Sequence, residues 1–235
     1  MTERGSGAHQ LAFELPHRAA HGREDFLISA ANEHAVAMID RWPDWLNPAL
    51  ILVGPPGSGK THLGEVWRGM SGAQSCRAED LSIAQLPALL TKRALIVEDL
   101  PGLMSGQTAL FHLINLARET KSFLLLTSRL HPLAWPIDLQ DLVSRVRAMP
   151  VAVLAEPDDA LLRGLLVKQF ADRQIPVDET TIGYMLAHME RSAAFARRIV
   201  ETIDRRALEE KVGITRSFVA RILQETAEPG LSLED

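Results

Sequence analysis

Apolar residues recur along this chain in two rhythms, and the rhythm changes near residue 156. Before that point the strongest runs are short and continuous: Ala49-Leu50-Ile51-Leu52-Val53, Arg93-Ala94-Leu95-Ile96-Val97-Glu98-Asp99, Phe123-Leu124-Leu125-Leu126-Thr127-Ser128 and Val151-Ala152-Val153-Leu154. Runs of this kind, separated by stretches with helical spacing, read as strands of a parallel sheet buried on both faces, with helices as crossovers. Leu110, Leu113, Ile114 and Ala117 predict one such helix over 109–119, and Ala35, Met38 and Ile39 predict another. From Glu156 onward only helical spacing remains, in stripes headed by Leu161, Ile182, Phe195 and Phe218. Asp178 and Thr215 stand where N-caps belong. The pattern therefore predicts an α/β domain with a parallel sheet over 26–155, followed by a small all-helical domain over 156–235. Residues 1–25 show little periodicity and read as a flexible tail with one apolar island, Leu11-Ala12-Phe13-Glu14-Leu15.

Composition narrows the classes. At 235 residues and 46% hydrophobic content the chain can bury one main core and a smaller one. A net charge of −5 and 5% aromatic residues argue against a dedicated nucleic-acid surface. The single cysteine, Cys76, excludes a disulfide framework. No apolar run reaches membrane-spanning length, and no signal peptide opens the chain, so a cytoplasmic protein with no membrane partner is expected.

The strand at 49–53 runs straight into Gly54-Pro55-Pro56-Gly57-Ser58-Gly59-Lys60-Thr61, after which His62-Leu63-Gly64-Glu65-Val66-Trp67 can open a helix. Strand, glycine-rich loop and helix in that order form the phosphate-binding context. Gly54, Gly57 and Gly59 let the backbone turn its amides toward an anion at a helix N-terminus. Lys60 would reach the β and γ phosphates, and the Thr61 hydroxyl would ligate Mg²⁺. The expected ligand is a nucleoside di- or triphosphate.

Two further features fit nucleotide chemistry. The run 93–99 ends in Glu98 and Asp99, which suit the metal side and the water-activating side of a hydrolase site. The alternative is two solvated carboxylates at a strand end. Arg145, in Asp141-Leu142-Val143-Ser144-Arg145-Val146-Arg147, suits an arginine finger directed at a neighbour's γ-phosphate, or an ordinary surface arginine on a helix.

Four features resemble the AAA+ ATPases of the DnaA group: Gly59-Lys60-Thr61-His62-Leu63, Phe26-Leu27-Ile28-Ser29 with Asn32, the pair Ser144-Arg145, and the final helix around Phe218-Val219 and Ile222-Leu223. The resemblance implies a P-loop domain followed by a helical lid. It implies adenine contacts from Phe26, Ile28 and Asn32, phosphate contacts from residues 54–62, and a sensor-1 region at Thr127 and Ser128. It also implies Mg²⁺ held by Thr61 and Glu98, and a finger role for Arg145. Within the group the chain is most similar to regulators that inactivate the replication initiator. Gln10, Leu11, Phe13 and Leu15 resemble a peptide that docks on the DNA polymerase sliding clamp through an apolar groove. The alternative for the island at 11–15 is packing on its own domain. The implied partners are the initiator DnaA and the clamp, with a further copy of the chain as an additional partner and DNA contact only through the clamp. ADP or ATP is the implied cofactor.

The sequence also departs from the group's pattern. Glu98 stands where Asp is usual. Thr127-Ser128-Arg129 lacks the acidic residue often found there. Ala194 takes the place of the lid arginine, with Arg191, Arg197 and Arg198 nearby. These departures argue for weak hydrolysis by the chain itself. The alternative expectation is a self-sufficient ATPase acting as a helicase loader or transposase helper.

Overall fold

The computed structural model describes residues 26–100 and 106–227. Its five strands are β1 (Ala49–Val53), β2 (Gln74–Arg77), β3 (Ala94–Leu100), β4 (Phe123–Ser128) and β5 (Val151–Val153). All neighbouring strands run parallel, in the order β2-β3-β4-β1-β5. Parallel pairing requires crossovers, and these are α2 (Lys60–Ser71), a short α3 (Leu86–Leu89), α4 (Gln107–Glu119) and α5 (Gln140–Arg147), with α1 (Glu33–Asp40) preceding β1.

Strand alternation divides the apolar runs between the two sheet faces. Ile51, Val53, Leu95, Val97, Leu124 and Leu126 pack with Leu110, Leu113 and Ile114 of α4 and Leu142 and Val146 of α5. Leu50, Leu52, Ile96 and Leu125 point the other way, onto Ala35, Val36 and Ile39 of α1 and Leu63, Val66 and Trp67 of α2. Because both faces are covered, β1 is buried at all five positions. That is why it reads as an unbroken apolar run rather than an alternating one.

The edge strand β2 leaves little trace in the hydrophobic pattern. Its residues alternate between half-buried and exposed, so Gln-Ser-Cys-Arg gives no continuous apolar signal. Cys76 is half-buried there, and burial pushes its thiol up to about 11.

Four helices form the second domain: α6 (Asp159–Asp172), α7 (Glu179–His188), α8 (Ala193–Glu210) and α9 (Arg216–Ala227). Asp158, Asp178 and Ser192 accept hydrogen bonds from the amides of Leu161, Thr181 and Phe195 as N-caps of α6, α7 and α8. Thr215 accepts from Phe218 N at 3.3 Å at the start of α9. The helices enclose a core of their own, with Leu162, Phe170, Met185, Ile199 and Ile222 among its buried members. A small fourth cluster joins the domains: Leu27 packs against Leu161, Leu165 and Ala193. Among the described residues no helix is long and apolar enough to cross a membrane.

Phe170 is fully buried in the helical core. Phe170→Ala should lower unfolding free energy by about 3–5 kcal/mol, read from the denaturant midpoint. A loss below about 1 kcal/mol would contradict this packing.

Candidate functional site

The loop between β1 and α2 is built by backbone geometry. Gly57 and Gly59 have φ of +74° and +99°, a region that residues with a Cβ enter only with strain. Gly59 is at once the last loop residue and the N-cap of α2. The loop is pinned to the sheet where Gly54 N donates to Ser128 O at 3.1 Å and Leu154 N donates to Val53 O at 2.7 Å. A Cβ on Gly54 would lie 2.7 Å from Leu154 O, so this residue must be glycine for β1 to pass β5.

Lys60 bends back over this loop. Its Nζ donates to Gly54 O at 2.7 Å and to Pro55 O at 2.8 Å. Partial burial holds its pKa below the usual lysine value; the Arg129 charge adds to the lowering and Asp99 opposes it. Inside the loop the Ser58 hydroxyl is buried with no hydrogen-bond partner among the described residues. Glycine-enabled curvature, a helix N-terminus, a poised ammonium group and an unsatisfied hydroxyl together fit a phosphate chain.

The second domain reaches this loop directly. Ala193 N, at the start of α8, donates to Gly57 O at 3.2 Å. Ser192 lies so near that a Cβ on Gly57 would stand 2.5 Å from its Oγ. One turn further along α8, Arg197 donates to Nδ1 of His62 on α2. Burial lowers the pKa of Arg197, because a charged guanidinium is less well solvated there than in water. Of the three lid arginines the sequence offers, Arg197 is the one that touches the loop helix. Arg191 instead pairs with Asp159 at 2.6 Å, and Arg198 lies over the Phe195 ring. The sequence leaves Arg191, Arg197 and Arg198 open, and only the tertiary fold brings Arg197 to His62.

Residues 26–32 line the same corner. Phe26 is buried against Gly59, and its ring centroid lies 5.0 Å from that of His62. Leu27 faces the helical domain, while Ile28 is exposed. Asn32 is buried, and its side chain braces the segment rather than a pocket. Its Oδ1 accepts from Ser29 N, and its Nδ2 donates to Leu27 O, both at 2.9 Å. Asn32 therefore braces the segment that carries Phe26 and Ile28.

Glu98 and Asp99 lie at the C-terminal end of β3, on the same sheet edge as the loop. Glu98 is half-buried, and burial raises its pKa. Asp99 and Glu65 raise it further, against the opposing pull of Arg77 and Arg68. Asp99 sits where the β3–β4 register shifts, with φ of +59°, so its side chain leaves the regular alternation. Its amide donates to Thr127 Oγ1 at 3.2 Å, and its carboxylate lies 3.6 Å from Arg77. Thr127 thus faces the carboxylate strand, whereas Ser128 Oγ is engaged with the backbone of Leu130. Thr61 and Glu98 would hold Mg²⁺ alongside phosphate oxygens, since both offer hard oxygen donors. Among the described residues no group of three or more His, Cys, Asp or Glu could hold a metal unaided. A Mg²⁺ bridging to phosphate does not require such a group.

Arg145 stands elsewhere. Its guanidinium lies 5.0 Å above the Phe111 ring and borders a recess of about 360 Å³ lined by Ala49, Ile114, Leu124 and Met149. Ala49 begins β1 and the phosphate loop follows its end, so about 13 Å of strand separates the two levels. Gln10, Leu11, Phe13 and Leu15 lie outside the described residues.

No family model matches the chain, and no curated protein matches it. Solved structures do. The chain is similar to domain III of the replication initiation protein DnaA of Thermotoga maritima, with a TM-score of 0.74 and 18% identity over 89% of this chain and 98% of that one. AMPPCP-bound DnaA from Aquifex aeolicus follows at TM-score 0.68 and 18% identity, over 79% of this chain and 65% of that one. The RuvB Holliday junction branch migration motor of T. maritima is similar at TM-score 0.61 and 16% identity, over 75% and 61%. The fold is therefore a DnaA-like AAA+ fold, a P-loop α/β domain with a helical domain behind it.

Two substitutions test the local geometry. Gly57→Ala would strain the backbone and collide with Ser192, costing about 1–2 kcal/mol in thermal or denaturant unfolding. An unchanged stability would mean that α8 does not rest on the loop. Glu98→Gln removes a carboxylate whose charged form is disfavoured when folded. A raised folded pKa means stability is lost as pH rises through it, so the variant should melt higher than wild type at pH 7–8. The gap should close as pH falls below the ordinary glutamate range. A variant melting lower at pH 7–8 would reverse that assignment.

Proposed function

We propose that this chain binds an adenine nucleotide at residues 54–62 and regulates replication initiation in the manner of Hda, the regulatory inactivator of DnaA. The observation that supports the reading most is a separation. A complete phosphate loop with a lid arginine stands at one end of β1, while Arg145 lies at the level of the other end. An arginine so placed does not serve its own nucleotide and is available to a neighbour's. Structures similar in fold include DnaA bound to AMPPCP, which favours an adenine nucleotide here.

In this reading Phe26 and Ile28 contact the base, the amides of 57–61 and Lys60 hold the phosphates, and Arg197 reports their presence to the helical domain. Bound Mg²⁺, held by Thr61 and Glu98, would neutralise phosphate charge. ADP is the resident nucleotide. Gln10, Leu11, Phe13 and Leu15 dock the chain on the sliding clamp, and Arg145 stabilises charge developing on ATP held by the initiator. A finger of this kind accelerates hydrolysis by about 10³–10⁵-fold in other nucleotide hydrolases.

One observation favours a second reading, an ATPase active on its own. Glu98 and Asp99 stand together at the C-terminal end of β3, where the first suits the metal side and the second the water-activating side of a hydrolase site. Steady-state ATP turnover by the isolated chain separates the two. Fast turnover abolished by Glu98→Gln would support the second reading.

Arg145→Ala should bind ADP and the clamp as wild type does, yet fail to stimulate hydrolysis of initiator-bound ATP in a reconstituted assay. Undiminished stimulation would remove Arg145 from the mechanism.

A further inference from the structure

Two consecutive residues of the segment before α1 are held by different domains. Phe26 lies against the loop helix, with its ring centroid 5.0 Å from that of His62 and its ring edge 3.9 Å from where a Cβ on Gly59 would stand. Leu27 packs into the helical domain, on Leu161 and Leu165 of α6 and Ala193 of α8. The helix α6 comes so close there that a Cβ on Gly164 would lie 3.1 Å from Leu27 Cδ1. Asn32 fixes the backbone behind both residues, donating to Leu27 O at 2.9 Å. A displacement of one domain against the other would therefore shear the surface carried by residues 26–28.

On the Phe26 side a single polar contact holds the two domains in register. Arg197 of α8 donates to His62 Nδ1, and the same imidazole meets the Phe26 ring. Arg197 is half-buried, and burial alone lowers its pKa, with no carboxylate near enough to oppose it. Withdrawing a guanidinium from water against a neutral acceptor costs solvation that one hydrogen bond only partly restores. Such a contact is a weak source of stability but a sharp constraint on where the His62 ring stands. Ala194, in the place of the lid arginine, is exposed and offers nothing to a phosphate.

We propose that Arg197 is a positioning residue for base recognition: acting through His62 it fixes the Phe26 ring, so that docking of the helical domain and selection of the base are one event. The proposal rests on the nucleotide-binding reading given above. It assigns the effect of Arg197 chiefly to the base end of the ligand. The phosphate end is met by the loop amides and Lys60, whose placement comes from the β1–α2 backbone and the carbonyls of Gly54 and Pro55.

The test is equilibrium titration of the full chain with Mg-ADP, Mg-GDP and Mg-pyrophosphate, comparing wild type, Arg197→Ala, Arg197→Lys, His62→Ala and the double variant Arg197→Ala/His62→Ala. In Arg197→Ala, affinity for ADP should fall about tenfold, the scale of one hydrogen bond from a charged donor. Affinity for pyrophosphate should change by less than about threefold, and the preference for ADP over GDP should shrink. His62→Ala should lose at least as much for ADP, and the double variant should lose no more than His62→Ala alone, because both residues act through one contact. Arg197→Lys, which keeps a donor without the planar fork, should fall between wild type and Arg197→Ala, and it carries the test if Arg197→Ala does not fold. Equal losses for ADP and pyrophosphate in Arg197→Ala would put the guanidinium on the phosphates and overturn the proposal while leaving nucleotide binding intact. Additive losses in the double variant would overturn it as well. Wild type that binds neither ADP nor pyrophosphate overturns the underlying reading and this proposal with it.

Discussion

The turn from β1 into α2 is the constraint on which the rest of the site depends. Two of its residues, Gly57 and Gly59, occupy backbone conformations open at low cost only to glycine. A strand buried along its whole length leads into the turn, and a helix capped by Gly59 leaves it. The sheet thereby fixes where the loop amides stand, and the helix fixes the sign of charge they favour. Three other parts of the chain converge on this turn. Gly54 is bonded to β4, Gly57 to α8, His62 meets Arg197 from α8, and Phe26 closes the corner from the segment before α1. A shift in the turn would be felt at each of these contacts.

Charge is distributed around that turn with some economy. Lys60 folds back over the loop, and Arg197 stands on the helical-domain side. The carboxylates Glu98, Asp99 and Glu65 face them from β3 and α2, tempered by Arg77 and Arg68. In a chain of net charge −5 this concentration of cations at one sheet edge is a local feature, not a property of the surface as a whole. Arg145 is set apart at the level where β1 begins, on a ring face beside an apolar recess. The geometry thus separates Arg145 from the phosphate loop by the length of β1.

Much of this was legible in the sequence, because the relevant signals are local. The glycine spacing of 54–61 and the unbroken apolar runs of β1, β3 and β4 are consequences of backbone geometry and two-sided burial, which leave direct traces in residue order. The caps at Asp178 and Thr215 are equally local. What escaped depends on contacts between distant segments. Arg197 reaches His62 only because α8 packs back on the loop, and the apolar stripe of that helix pointed to Ala194 instead. Leu27 joins the domains through a contact with no sequence period. The strand β2 lies at a sheet edge, where one-sided burial of Gln-Ser-Cys-Arg leaves a weak pattern.

The central claim, that residues 54–62 form a working nucleotide socket braced by the helical domain, is tested most directly by thermal unfolding of the intact chain in Mg-ADP. A ligand bound only by the folded state at a hundred times its Kd adds about 2.7 kcal/mol of stability. For a chain of this size that raises Tm by about 5–10 °C, and Lys60→Ala should lose the shift. A Tm that stays constant to within a degree up to millimolar Mg-ADP and Mg-ATP would contradict the account.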